Sequence, residues 1–117
     1  MRLDVLAREL ELRDLTANLG VDRGVEVTRG HASDLLSDVL ANAPTGSVLV
    51  TIQVHLSVIA VAVHAGLAAV VFAADRAPDA EVLARASEER LPLYSTAASV
   101  FDVVGRLYAL GVRGQDA

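Results

Sequence analysis

VLVTIQVHLSVIAVAVHAGLAAVVFA, residues 48–73, contains no Asp, Glu, Lys or Arg, and its reading decides the fold. A helix crossing a bilayer needs about 20 apolar residues, and Leu56 to Ala74 is close to that length. A buried strand–helix–strand unit has the same hydropathy, because parallel strands are covered on both faces and read as continuous apolar runs. His64 and Gly66 interrupt the run where a helix would end at a glycine, and Val70-Val71-Phe72 then suits a short buried strand. The buried unit is the expected one, and no membrane partner follows from it.

Outward from this unit the alternation continues. Val48–Ile52 reads as a strand, Ser57–Ala65 as a helix, Ala69–Ala73 as a strand, Pro78–Arg90 as a helix, Leu93–Ser95 as a short strand and Ala97–Leu110 as a helix. Upstream, Leu3, Leu6, Ala7 and Leu10 have helical spacing, residues 18–24 form a turn with two glycines, and Val25-Glu26-Val27-Thr28 alternates as a half-exposed strand does. From Ser33 to Ala43 the period is helical again. Leu35, Leu36, Val39, Leu40 and Ala43 make the apolar stripe, and Asp34, Ser37 and Asp38 make the solvated face. Strands alternating with helices over short connections predict an α/β protein, a three-layer α/β/α sandwich with a mostly parallel sheet. The 117 residues fit a single domain, 1–117, with 112–117 as a frayed tail.

Composition narrows the function. The net charge is −5, all ten basic residues are Arg, and Cys and Lys are absent. That excludes a thiolate nucleophile, a disulfide framework, a Schiff-base lysine and a P-loop lysine. An acidic chain with two Phe, two Tyr and no Trp lacks the charge and the stacking surface of a nucleic-acid binder. Asp4 and Glu9 interrupt the amino-terminal leucines, so no signal peptide is read there and a cytoplasmic location is expected.

In an open parallel sheet, ligands bind beyond the carboxyl ends of the strands, near helix amino termini. The sequence places His31, Ser33 and Asp34 after the first strand, Gln53 and His55 after the second, Asp75 after the third, and Ser95 and Thr96 after the fourth. These eight are the candidate ligand-binding residues. Ser33, Ser57 and Thr96 are equally placed as helix caps. His31 and His55 are poor caps and point more strongly to a site, whereas His64, just before Gly66, reads as a helix-end histidine bonded to a carbonyl. No HxxxH or HExxH spacing supports a metal site, and no GxSxG, GxGxxG or GxxxxGK[ST] supports a catalytic or cofactor site. No cofactor is expected.

GHASDLLSDVLANA (30–43), VTIQVH (50–55), LPLYST (91–96) and GRLYALG (105–111) lie within a stretch, 27–111, that resembles the stand-alone DRTGG-domain proteins, relatives of the amino-terminal domain of HPr serine kinase/phosphorylase. The resemblance implies a three-layer α/β/α domain without catalytic machinery, found alone or attached to metabolic enzymes such as phosphate acetyltransferases and CBS-domain pyrophosphatases. The kinase's P-loop belongs to a separate domain. The family is named for an Asp-Arg after one strand and a Thr-Gly-Gly after the next; the aligned positions here are Val54-His55 and Ala73-Ala74-Asp75. The resulting expectation is a non-catalytic regulatory module, a homodimer that senses a small anionic or nucleotide ligand and acts with a metabolic enzyme. The alternatives are a structural interaction subunit without a ligand, and a small hydrolase or phosphotransferase using His31, His55 and Asp34.

Overall fold

The apolar run at 48–73 divides at its glycine. A computed structural model of the chain describes residues 1–115. In it Val48–Thr51 is a strand, Ser57–Ala65 a helix and Ala69–Phe72 a strand. Gly66 ends the helix at φ 69°, a left-handed conformation that costs a glycine little, with its N–H turned back to Ala62 and Val63. Among the described residues no helix is long and apolar enough to cross a membrane.

In chain order the elements are α1 (Leu3–Glu9), β1 (Arg13–Asp14), β2 (Gly30–Ala32), α2 (Leu36–Asn42), β3 (Val48–Thr51), α3 (Ser57–Ala65), β4 (Ala69–Phe72), α4 (Ala80–Glu89), β5 (Leu93–Ser95) and α5 (Val100–Ala109). The sheet order is β1-β5-β4-β3-β2. Strands β2 to β5 are parallel, and β1 is antiparallel at the edge beside β5. The expected α/β class with a mostly parallel sheet is what forms.

Strand alternation builds two cores on the two faces. Val48, Val50, Ala69, Val71 and Tyr94 pack with Leu3, Leu6 and Leu10 from the first helical segment and Val103 and Leu107 of α5. Leu49, Val70, Phe72 and Leu93 face the other way, onto Val39 of α2, Val58, Ile59 and Ala62 of α3, and Val82 and Ala86 of α4. Helices α2, α3 and α4 therefore share one face, and α1 and α5 share the other. Burial pushes the acidity of the Tyr94 hydroxyl down, its pKa raised, and the nearby Asp14 charge adds to this.

Several expectations require correction. Val25–Thr28 is not a sheet strand. It makes a single bridge, Arg2 to Glu26, with Val27 buried, and the strand lies later, at Gly30–Ala32, inside the stretch read as leading into a helix. The spacing is tight there, since a Cβ on Gly30 would meet Val112 Cγ1 at 3.2 Å. The chain is not frayed from residue 112. Val112 is buried, the Gly30 N–H donates to the Arg113 carbonyl at 2.9 Å, and the Arg113 N–H donates to Thr28 at 3.1 Å; the last two residues of the expected tail, 116 and 117, lie outside the described residues. Helix α4 starts at Ala80, capped by Asp79, and α5 starts at Val100, capped by Ser99, each later than the periodicity implied.

Candidate functional site

The parallel strands end together at one edge. From β2, β3 and β4 the chain passes to α2, α3 and α4 on one face, whereas from β5 it passes to α5 on the opposite face. Connections that part in this way open a crevice between adjacent strand ends. A cleft of about 600 Å³ lies there, lined by Glu11, Arg13, Asp75, Ser95, Thr96, Asp102 and Arg106. Its size is that of a small-molecule site.

The backbone around the cleft is held in an unusual shape. After β4, Ala74 and Asp75 both take left-handed φ values of 57° and 59°, although neither is glycine. Glu11, on the opposite wall, does the same at 54°. Such conformations cost free energy and persist where neighbouring contacts enforce them. Here the Ala74 N–H donates to the Ala98 carbonyl at 2.8 Å and the Asp75 N–H to the Thr96 carbonyl at 3.0 Å. The two loops thus brace each other.

The cleft mixes charges: Arg13 and Arg106 against Glu11, Asp75 and Asp102. Thr96 and Ser99 hydroxyl oxygens accept from the Ala98 and Asp102 N–H groups at 3.2 and 3.1 Å. Chemically the site can bind a molecule that carries both an anionic group and hydrogen-bonding polar groups.

The eight sequence candidates do not assemble into one site. Asp75, Ser95 and Thr96 line the cleft. Gln53 and His55 line a separate hollow with Asp79 and Glu81, between the starts of α3 and α4. There the His55 Nδ1 accepts from the Ser57 N–H at 3.1 Å and lies 2.8 Å from the Ser57 hydroxyl. The imidazole therefore braces the turn that enters α3, the part expected of Ser57, while the helix's N-cap is Leu56, with no side-chain cap. His64 is exposed.

His31 and Asp34 are structural as well. The His31 Nε2 bonds Asp38 at 2.8 Å, and the Asn42 amide donates to the same carboxylate at 2.7 Å. Asn42 first, then His31 and Ser33, hold the Asp38 carboxyl down at about 2. Asp34 accepts from the Thr51 hydroxyl and the Ile52 N–H, both at 2.8 Å, locking the end of β3. Neither aspartate is the idle surface group that its helical position suggested. Ser33 accepts from Leu35 N at 3.2 Å and donates to Leu35 O; it is not wired to His31, so no Ser–His–Asp relay forms. Among the described residues no cluster of three His, Cys, Asp or Glu side chains could share a metal ion.

Four lining residues were not singled out from sequence: Glu11, Arg13, Asp102 and Arg106. Asp102 and Arg106 lie one turn apart on α5, a usable signal once α5 is known to start beside the cleft. Arg13 sits in a two-residue strand, too short to leave a periodic pattern. Arg23, in the glycine turn of residues 18–24, donates to the Leu19 and Thr16 carbonyls and pairs with Asp14.

Comparison with known proteins returns a likeness of fold. No family model and no curated protein matches the sequence. Among solved structures, the chain superposes with a TM-score of 0.71 on the CBS and DRTGG domains of the regulatory region of Clostridium perfringens pyrophosphatase, complexed with the activator diadenosine tetraphosphate. The match has 13% sequence identity and covers 95% of this chain and 47% of that one, so this chain spans about half the length of that structure.

Proposed function

We propose that this protein is a non-catalytic regulatory module of the DRTGG type that senses a small anion-bearing ligand, a nucleotide in the first instance, in the cleft between β4 and β5. On this reading it works in the cytoplasm as a homodimer and passes the signal to a metabolic enzyme. The observation that carries the reading is the cleft itself: a space of ligand size at the point where the connections part, walled by Arg13, Arg106, Ser95 and Thr96. The solved structure of similar fold supports it from outside, since that regulatory region is complexed with a dinucleotide activator.

Isothermal titration calorimetry against mononucleotides, cyclic nucleotides and dinucleoside polyphosphates tests it. Binding is expected for at least one compound, and Arg13→Ala or Arg106→Ala should each weaken it about tenfold or more, the loss of one charge-assisted hydrogen bond. No heat with any compound, together with an unchanged melting temperature, refutes the sensing reading. The His31, His55 and Asp34 hydrolase alternative loses its geometry to the partners these residues already hold.

A further inference from the structure

One face of α5 is apolar and uncovered. Phe101 is 86% exposed and Tyr108 59%, with Val104 between them at 38%. With Gly105 these make an i, i+3, i+4, i+7 seam along the helix. A Cβ on Gly105 would meet nothing within 4 Å, so the middle of the seam is open to close approach by another helix. Beside the seam runs a groove of about 240 Å³ lined by Ala32, Val50, Val104, Leu107, Tyr108 and Val112. That is smaller than the roughly 300–1,000 Å³ of small-molecule sites; His31, Arg113 and Gln115 also line it, the Arg113 guanidinium lying 3.8 Å from the Tyr108 ring centre, and the rest of the lining is apolar, which suits a hydrophobic side chain.

We infer that this face binds a second copy of the same chain, with α5 packed antiparallel on α5 about a two-fold axis near Val104 and Gly105. Three features make the surface complementary to itself, as an isologous interface must be. An antiparallel two-fold sets Phe101 of each copy against Tyr108 of the other, at the mouth of the apolar groove. It brings the two Gly105 positions to the crossing, where the backbones come closest. It also faces the same flank of each helix toward its mate, and that flank carries Asp102 on one side of the axis and Arg106 on the other. Asp102 of each copy then meets Arg106 of its mate. A parallel arrangement would give up this charge pairing.

The two rings expose together roughly 300 Å² per copy, over a third of the about 800 Å² per partner of a standard interface. The groove rim and the charged flanks supply more, and a dimer of micromolar strength is the expected result. This deepens the homodimer reading, and it shares Asp102 and Arg106 with the wall of the cleft.

Sedimentation velocity from about 1 to about 100 μM, the range that populates a micromolar equilibrium, tests it. The wild-type chain should pass from monomer to dimer. Phe101→Asp, and the milder Phe101→Ala, should stay monomeric throughout while melting like the wild type at low concentration. Asp102→Arg should weaken the dimer about tenfold by setting like charges together, and adding Arg106→Asp should restore it. A wild-type chain that is monomeric at about 100 μM overturns the inference, and so does a dimer that survives Phe101→Asp. Loss of nucleotide heat in Arg13→Ala at unchanged sedimentation belongs to the cleft alone, so the two readings fail separately.

Discussion

Ala74→Gly should make this protein more stable, although glycine for alanine is destabilising at most positions. Ala74 is exposed and sits at φ 57°. A left-handed conformation costs an L-residue roughly 1–2 kcal/mol, through the crowding of Cβ against the following carbonyl. Glycine escapes that cost but loses more chain entropy on folding, about 0.5–1 kcal/mol against alanine. The methyl group packs against nothing that burial would reward, and the N–H bond to Ala98 is unaffected. The net expectation is a gain of about 0.5–1 kcal/mol. Asp75→Gly at φ 59° should gain less, because aspartate tolerates this region better than alanine does. Ala84→Gly, at an exposed position within α4, is the control and should lose about 1 kcal/mol. Urea denaturation reads all three as shifts of the midpoint at constant slope. If Ala74→Gly is neutral or destabilising while Ala84→Gly behaves as stated, the strained loop is not held as described.

Asp34→Ala should cost about 1–3 kcal/mol in the same assay, since it strips the Thr51 hydroxyl and Ile52 N–H of their shared acceptor; a loss below about 0.5 kcal/mol would remove Asp34 from the lock on β3. His55→Ala should destabilise by about 0.5–1.5 kcal/mol, the range for one lost intramolecular hydrogen bond, and His55→Asn should recover part of it. The Asp38 carboxyl is ordinarily near 3.8 and is lowered to about 2 in the folded chain. A depressed folded value gives stability that is present above 3.8 and lost as pH falls through about 2. The stability gap between wild type and Asp38→Asn should thus shrink between pH 4 and 2; a gap unchanged at pH 2 would deny the carboxylate this role.

Most of the fold was legible because burial dictates it. Runs such as 48–52 and 69–73 are apolar on both faces, and only a sheet covered on both sides uses such strands. The first parallel strand was misplaced for the same reason. Gly30-His31-Ala32 is an edge strand with a glycine and a histidine, so it lacks the apolar period, whereas Val25–Thr28 has the period without the partner strand. The site was legible only by position. Counting polar residues at strand ends found Asp75, Ser95 and Thr96, but it could not separate them from His31, Asp34 and His55, whose hydrogen bonds are spent on local structure. That distinction depends on which face each connection takes after its strand, and α4 and α5 have similar amphipathic patterns despite lying on opposite faces.

Chain order carries a consequence for the folding reaction. Strands β2, β3, β4 and β5 are neighbours both along the sequence and across the sheet, so each can join the growing sheet as soon as it is available, with short loops to close. The amino-terminal β1 has to wait, because its partner is β5, with Arg13 opposite Ser95. Its closure spans most of the chain and carries the largest entropic cost. The walls of the cleft come from these two extremes, Glu11 and Arg13 from the beginning and Ser95 through Arg106 from the end. The two walls of the cleft are therefore brought together last in folding and are the first to part on partial opening.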